Sequence, residues 1–552
     1  MIFQFQKGIF LYKSVLVLVF FTFLILNFCL AQTYPAGELQ LEEYLRRMQL
    51  ENKNTVNNSF FFRPLQIQDS VKLNAKKFKI DPTYIFQKNV YNTNRPYGWG
   101  DGLMIPQVGL QQYFSLGFEI KNSFLKIQFQ PEFVWSQNKK FLGFPDNSPE
   151  NIIKDRFFFW NFSDTPERFG QGPYKKAWWG QSSLLVYFGA FEIGISTRNI
   201  WWGPGQWNSL TFSRNAPGFP HFTLNTLKPA KTLIGEFEGQ LIVGRLENSG
   251  LAPSQNQELN QAFFNPFNGD WRYLNGITLS YQPKWIPGLY FGFARTYQQY
   301  NRQKGDNFKD YFPIFEPFQK IKYGFDRDGL GRDQQATVSA RYLNKPSKFE
   351  FYFEFGRRDH AFNWREAFLN PEHARAYMLG FNKLFDMNNT SKKLFFRGEI
   401  THQQESINRY IRYRDLTGGV SWHTHGSGAR GFVNFGQPLG VGIGTGSNIQ
   451  SFEFSIVKNY NKIGILLERL ENHQDFYYRA FGQQDVQKPW VDLSMALLFD
   501  YEWNSFLINS KFQLINALNY QWKYSSNIEG FPSGYNLLST HFQLNLIYRF
   551  ND

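Results

Sequence analysis

The sequence predicts an all-β fold, an antiparallel outer-membrane β-barrel with a small periplasmic α-helical element. Three observations point there. The 552-residue chain is 19% aromatic, with 62 Phe and 29 Tyr, yet its mean hydropathy is only −0.44. In a barrel wall, lipid-facing and lumen-facing residues alternate, so apolar and polar contributions cancel in the average. Past residue 31 no uninterrupted apolar run approaches the ~20 residues that a membrane helix needs. The chain ends on Phe542, Leu544, Leu546, Tyr548 and Phe550, alternating with His541, Gln543, Asn545, Ile547 and Arg549. Such a strand, apolar at every second position with an aromatic near its end, closes outer-membrane barrels. Asn551 and Asp552 follow that aromatic, a small departure.

At the other end, Lys7 and Lys13 precede an apolar run over residues 15–30 that leads to Ala31. A basic start, an apolar middle and a small final residue describe a secretory signal peptide over residues 1–31, cleaved after Ala31, rather than a membrane anchor. It contains the one cysteine, Cys29, so the mature chain has no thiol for a disulfide, a zinc site or a nucleophile. The net charge of +14 becomes +12 when Lys7 and Lys13 leave. That excess favours an acidic partner such as an anionic polysaccharide or lipopolysaccharide phosphate. No dense Lys/Arg cluster of the nucleic-acid-binding kind is present.

Residues 32–88 read as a small periplasmic helical segment. Leu41, Tyr44, Leu45 and Met48 fall at i, i+3, i+4 and i+7, a short amphipathic helix placed against or partly inside the barrel mouth. Residues 89–552 read as the barrel. Gln112, Phe114, Leu116, Phe118 and Ile120 alternate with their neighbours, turn at Lys121-Asn122-Ser123, and continue through Leu125, Ile127 and Phe129 as a hairpin. The same pattern joins Ala336, Val338, Ala340 and Tyr342 to Phe349, Phe351, Phe353 and Phe355, and joins residues 452–457 to 463–467. About 460 residues at roughly 25 per strand with its loop correspond to about 16 to 20 strands. A barrel that wide has an aqueous lumen unless loops fill it, and the connections 143–180 and 297–333 are long enough to do so.

Between strand-like residues 191–196 and 236–245 runs a Trp-, Gly- and Pro-rich connection. It opens Asn199-Ile200-Trp201-Trp202-Gly203-Pro204-Gly205-Gln206-Trp207-Asn208 and continues through Asn215-Ala216-Pro217-Gly218-Phe219. It reads as a binding surface on a rigid frame. Aromatic faces stack on pyranose rings and amides bond hydroxyls, so Trp201, Trp202, Trp207, Asn208 and Asn215 are candidate polysaccharide contacts. The alternative for these tryptophans is a membrane-interface girdle. Arg357, Arg358, Asp359 and His360, with Glu372, His373 and Arg375, form a second candidate cluster. It would either grip an anionic glycan through bidentate Arg contacts or line the lumen with ion pairs.

Other motifs carry less. His423 and His425 stand at i and i+2 with no third ligand in view, so no metal and no cofactor are expected. The glycine-dense stretch 440–448 lacks the Lys-Ser/Thr of a phosphate loop and reads as a place of close backbone approach. Glu192, Glu236, Glu238, Glu354 and Glu399 fall within strands, and sequence does not supply the carboxylate separation on which glycosidase chemistry depends. Gly426-Ser427-Gly428 lacks the strand–turn–helix setting of a nucleophile elbow. No catalytic constellation emerges.

Several blocks together resemble the capsule-assembly Wzi family in its Bacteroidetes-type form. They are residues 43–50 (EYLRRMQL), Arg95-Pro96-Tyr97-Gly98-Trp99 with Asp101-Gly102, and 199–205 with 215–219. To these add 279–285 (LSYQPKW), 371–377 (PEHARAY) and 442–448 (GIGTGSN). No block is specific alone; they are spread over nearly the whole mature chain. The resemblance implies an outer-membrane barrel of about 18 strands with periplasmic helices, acting as a non-catalytic lectin that attaches capsular polysaccharide to the cell surface. The expected partners are capsular or other surface polysaccharide, with outer-membrane lipid and lipopolysaccharide around a monomeric barrel. Two rivals stand beside it. A porin or transporter for small polar solutes predicts an open, conducting lumen. A barrel enzyme acting on glycan or lipid predicts one Ser, Glu or Asp whose loss abolishes turnover.

Overall fold

The computed structural model describes residues 35–53, 59–65, 78–267, 269–316, 331–358, 371–372, 374–388, 390–406, 421–425, 430–482, 488–523 and 534–550, together with 365, 369 and 532. The signal-peptide expectation lies outside the described residues. Twenty-three strand segments pair into one closed barrel. Five of them continue a neighbour across a bulge or bend: Lys79–Pro82 into Ile85–Asn92, Gly109–Ser115 into Phe118–Lys121, Leu125–Phe129 into Glu132–Ser136, Tyr174–Trp178 into Ser183–Phe188, and His221–Thr226 into Ala230–Lys231. The described wall therefore consists of eighteen antiparallel staves. The last strand, Leu537–Tyr548, pairs with Phe506–Leu518 on one side and Ile85–Asn92 on the other, and this closes the cylinder.

The period of two explains the wall. In the strand Asn448–Lys458, Phe452, Phe454 and Ile456 are exposed on the outer face while Ser451, Glu453 and Ser455 are buried inside. The strand Val491–Trp503 repeats this, with Leu493, Met495, Leu497 and Phe499 outward and Asp492 and Asp500 inward. Outward apolar side chains suit lipid, and closure leaves no strand edge for lipid to desolvate. One end carries tight connections, such as Asn459-Tyr460 and Asn504-Ser505. The other carries the long connections 93–108, 137–173, 197–220 and 247–271. Short turns mark the periplasmic end of an outer-membrane barrel and long loops the extracellular end.

The wall begins at Lys79, upstream of residue 89, and so takes in part of the stretch read from sequence as helical. The expected helix forms over Leu39–Leu50, but it lies inside the cylinder. Arg46 donates to Glu350 Oε1 and to the Pro204 carbonyl, each at 2.6 Å. Arg47 donates to the Asn459 carbonyl at 2.7 Å, which sets the helix near the short-turn end. Its charged face is as buried as its apolar one. A helical period finds the apolar stripe; it does not say that the opposite stripe meets water, and here it meets a polar barrel wall.

Candidate functional site

The connection 197–220 leaves the wall after Ser196, folds into the lumen and rejoins the wall at His221. Trp201 and Trp202 are only 1% and 0% exposed. They form a two-residue ribbon with Phe62-Arg63. The Arg63 guanidinium covers the Trp201 ring at 4.5 Å, while Trp202 donates its indole N–H to Gln240 at 2.8 Å and packs edge-on against Phe212. Trp207 lies under Arg397 at 4.3 Å. The backbone N–H groups of Gln206, Trp207 and Asn208 converge on the Glu399 carboxylate at 2.7–3.4 Å. The loop is thus anchored from within by an anion seated in backbone amides. Trp/Gly/Pro density signals a fixed loop, but only the fold decides on which side of the wall it packs.

Of these loop residues, Asn215 reaches an open cavity. It accepts from Gly100 N at 3.2 Å and donates to the Pro438 carbonyl at 2.8 Å. In the second cluster, Arg357 and Arg375 stand opposite each other on the strands Phe349–Arg358 and Arg375–Asp386. Arg358 is buried, Arg375 contacts His402 and the Gln404 carbonyl, and Glu372 accepts from the Ser406 hydroxyl. Asp359, His360 and His373 lie outside the described residues. His423 is buried: its Nε2 accepts from Val441 N at 3.1 Å and its Nδ1 faces Gln335 at 3.3 Å. Both ring nitrogens are therefore engaged.

The cavity holds about 270 Å³ at the long-loop end. Nine aromatic rings line it, among them Tyr97, Trp99, Trp160, Trp490, Tyr520 and Trp522. Trp490 packs against Tyr520 and Trp522 with ring centres 5.0 and 5.2 Å away. Arg95 sits over Tyr97 and Trp490 and pairs with Asp492. Asp492 also accepts from Asn472 at 3.0 Å and from the Trp490 indole at 2.8 Å. The roof is the helix Glu150–Phe162, which packs through an aromatic cluster on the helix Gln474–Phe481 and is tied to it by Arg479 and Asp155 at 2.7 Å. The glycine-dense stretch forms one side. A Cβ on Gly442 would lie 2.2 Å from Asn215 Oδ1 and 2.7 Å from Trp99 Cβ, so the backbone must approach bare.

Several polar atoms of this cavity are buried with no hydrogen-bond partner among the described residues: Arg95 Nε, Arg156 Nε, His473 Nδ1, Gln521 Oε1 and Trp522 Nε1. Such atoms are destabilising unless something bonds them. Below the cavity, across Gly98 and Trp99, lies a smaller chamber of about 80 Å³. Its walls are charged, including Glu43, Lys88, Asp101, Lys462 and Lys511. Sequence reasoning missed Trp160, Trp490, Tyr520 and Trp522. Their signal is present, aromatics in long connections, but three separate loops must meet before it becomes a site.

The loop groups also set a pH dependence. Burial, with Arg156 nearby, pushes His473 well below its ordinary 6.5. Burial, with Arg358 nearby, pushes His423 down to about 3. Both stay neutral when folded and take a proton when unfolded below about pH 6.5, so their contribution to stability is complete above that pH and is lost as pH falls. Melting of the detergent-solubilised barrel should shift to lower temperature from about pH 7 to about pH 5, with a shallower slope in His473→Gln. An identical slope in that variant would remove His473 from the account.

The fold and this cavity define an outer-membrane β-barrel with a filled lumen and an aromatic pocket at its extracellular end. The chain belongs to the Wzi capsule-assembly family: the sequence model described as "Capsule assembly protein Wzi" matches residues 110–506. No curated protein matches it. Among solved structures it is similar to Wzi of Escherichia coli, described as an outer-membrane protein involved in group 1 capsule assembly and a carbohydrate-binding β-barrel. The identity is 12% over 94% of this chain and 100% of that one, with a TM-score of 0.57. Weaker similarity extends to OprD of Pseudomonas aeruginosa, at 9% identity over 87% of this chain and 96% of that one and a TM-score of 0.39. OccAB4 of Acinetobacter baumannii matches at 10% identity over 85% and 97%, with a TM-score of 0.38.

Proposed function

We propose that the barrel is a non-catalytic lectin that binds capsular or another surface polysaccharide in the extracellular cavity and so holds the polymer at the cell surface. One observation carries this reading: nine aromatic rings line a cavity into which buried polar atoms with no described partner are set. A sugar offers both complements, apolar C–H faces for the rings and hydroxyls for the orphaned donors and acceptors. Asn215 belongs to the contact set. Trp201, Trp202, Trp207 and Asn208 serve it from below by fixing the loop that carries Asn215. The cluster of Arg357, Arg358, Glu372 and Arg375, with Asp359, His360 and His373 in the same stretch of sequence, is the second contact region. Several weak contacts along a repeating polymer sum to useful avidity. The apolar belt would sit in lipid and lipopolysaccharide as a monomer, since a closed wall offers no edge to a neighbour.

The test is binding of the refolded barrel to polysaccharide purified from the bacterium that makes it. Trp490→Ala and Trp99→Ala should each weaken binding about tenfold, the scale of one stacking contact. Trp285→Ala, 66% exposed at the short-turn end, should leave binding unchanged. Absence of any binding, together with strong ion conductance in planar bilayers, would favour the porin.

A further inference from the structure

Arg156 is the cavity group whose surroundings least explain it. It lies on the helix Glu150–Phe162, half-buried, with its guanidinium stacked over Trp160 at 4.3 Å and near Phe476 and Phe144 at 5.5 and 6.0 Å. Its Nε is buried and bonded to no described group, and no ion pair within 4.0 Å joins it to a described acid. Glu167, the acid that acts on it, is held elsewhere: its carboxylate accepts from Phe144 N at 2.7 Å and from Gln255 N at 3.4 Å. Arg95 differs in this respect. That residue faces the same cavity but has its own carboxylate, Asp492.

A guanidinium stacked on a ring uses its face and leaves its in-plane N–H fork for a partner. A sugar hydroxyl would satisfy one of those donors. A carboxylate satisfies two at once and brings a negative charge into direct contact, which makes it the stronger partner in a half-buried site. We propose that Arg156 recognises a carboxylate carried on the bound polymer, of the uronate kind, with the Trp160 ring holding the guanidinium in place. The site therefore selects an acidic glycan over its neutral counterpart. This rests on the carbohydrate reading of the cavity and adds the class of sugar.

The test compares two probes on the intact barrel: surface polysaccharide from the producing bacterium, and the same polysaccharide after carbodiimide–borohydride reduction of its carboxylates to alcohols. The wild-type barrel should bind the native polymer about tenfold or more tightly than the reduced one, the scale of one charge-assisted hydrogen-bond pair. Arg156→Gln should lose that preference while binding the reduced polymer as the wild type does. Arg156→Lys, which keeps the charge without the fork, should retain only part of it, and it provides the reading if the Gln variant does not refold. Equal wild-type affinity for both polymers, or a preference undiminished in both variants, would overturn the assignment and leave the lectin intact. If neither polymer binds the wild type, the lectin reading itself has failed.

Discussion

Glu43→Ala is expected to destabilise the barrel by about 3–5 kcal/mol, the scale of breaking a buried ion pair on one side. Glu43 is fully enclosed between the lumen helix Leu39–Leu50 and the wall. It contacts Lys462 at 2.6 Å, Arg397 at 2.9 Å and Arg47 at 3.3 Å. Glu453 and Asp500 complete the network through the same Lys462, at 3.3 and 3.2 Å. Removing Glu43 leaves three buried cations facing two carboxylates. Burial by itself would raise the Glu43 carboxyl, but Arg397, Lys462 and Arg47 together hold it down to about 2 against an ordinary 4.5. Its stabilising contribution is thus complete above about pH 4.5 and is lost as pH falls towards 2. Thermal unfolding in detergent should show a large gap between wild type and Glu43→Ala at neutral pH that narrows on acidification. A gap independent of pH would mean that the lost packing of the side chain, not its charge, is responsible.

Excision of the lumen helix, residues 35–53, is expected to turn a poorly conducting barrel into an open one. Eighteen staves enclose a lumen wide enough for an aqueous channel when nothing fills it. In this protein the helix closes the short-turn half, tied to the wall by Arg46 with Glu350 and by Glu43 with Lys462. It is also tied to the inward loop by Glu38 with Arg214. Without it, Arg341, Glu350, Arg397 and Lys462 would face water, where charged groups are readily solvated, so the wall should tolerate the loss. Single-channel recording should show a rise in conductance well beyond the wild-type level. Conductance that stays at the wild-type level would place the seal in the long loops above Trp99 instead. Substantial conductance in the wild type before excision would contradict the filled lumen directly.

Much of this architecture is legible in the residues themselves. The alternation through Phe542–Phe550, the paired runs around Asn459-Tyr460 and the apolar stripe of Leu41, Tyr44, Leu45 and Met48 each depend on local geometry alone. A strand repeats every two residues and a helix every 3.6, so these elements write their period into the chain. The site is legible only in part. Asn215, Arg95 and Trp99 lie in stretches that stand out by composition, whereas Trp160, Trp490, Tyr520 and Trp522 look like stray aromatics spread over three loops. Conversely, Trp201 and Trp202 are conspicuous in sequence yet buried, because Trp suits a packed interior as well as a sugar face.

That the chain is a barrel, where its hairpins turn and that a short helix precedes them all follow from the order of residues, since period and turn chemistry are properties of neighbouring residues. Tertiary structure decided the rest. It decided that the helix lies inside the wall, that the loop 197–220 folds inward, and that Arg156 meets a ring of aromatics with no described carboxylate in contact. Those outcomes depend on closure of the cylinder, which brings residues hundreds of positions apart into a space where each charge must find a partner or be left waiting for one.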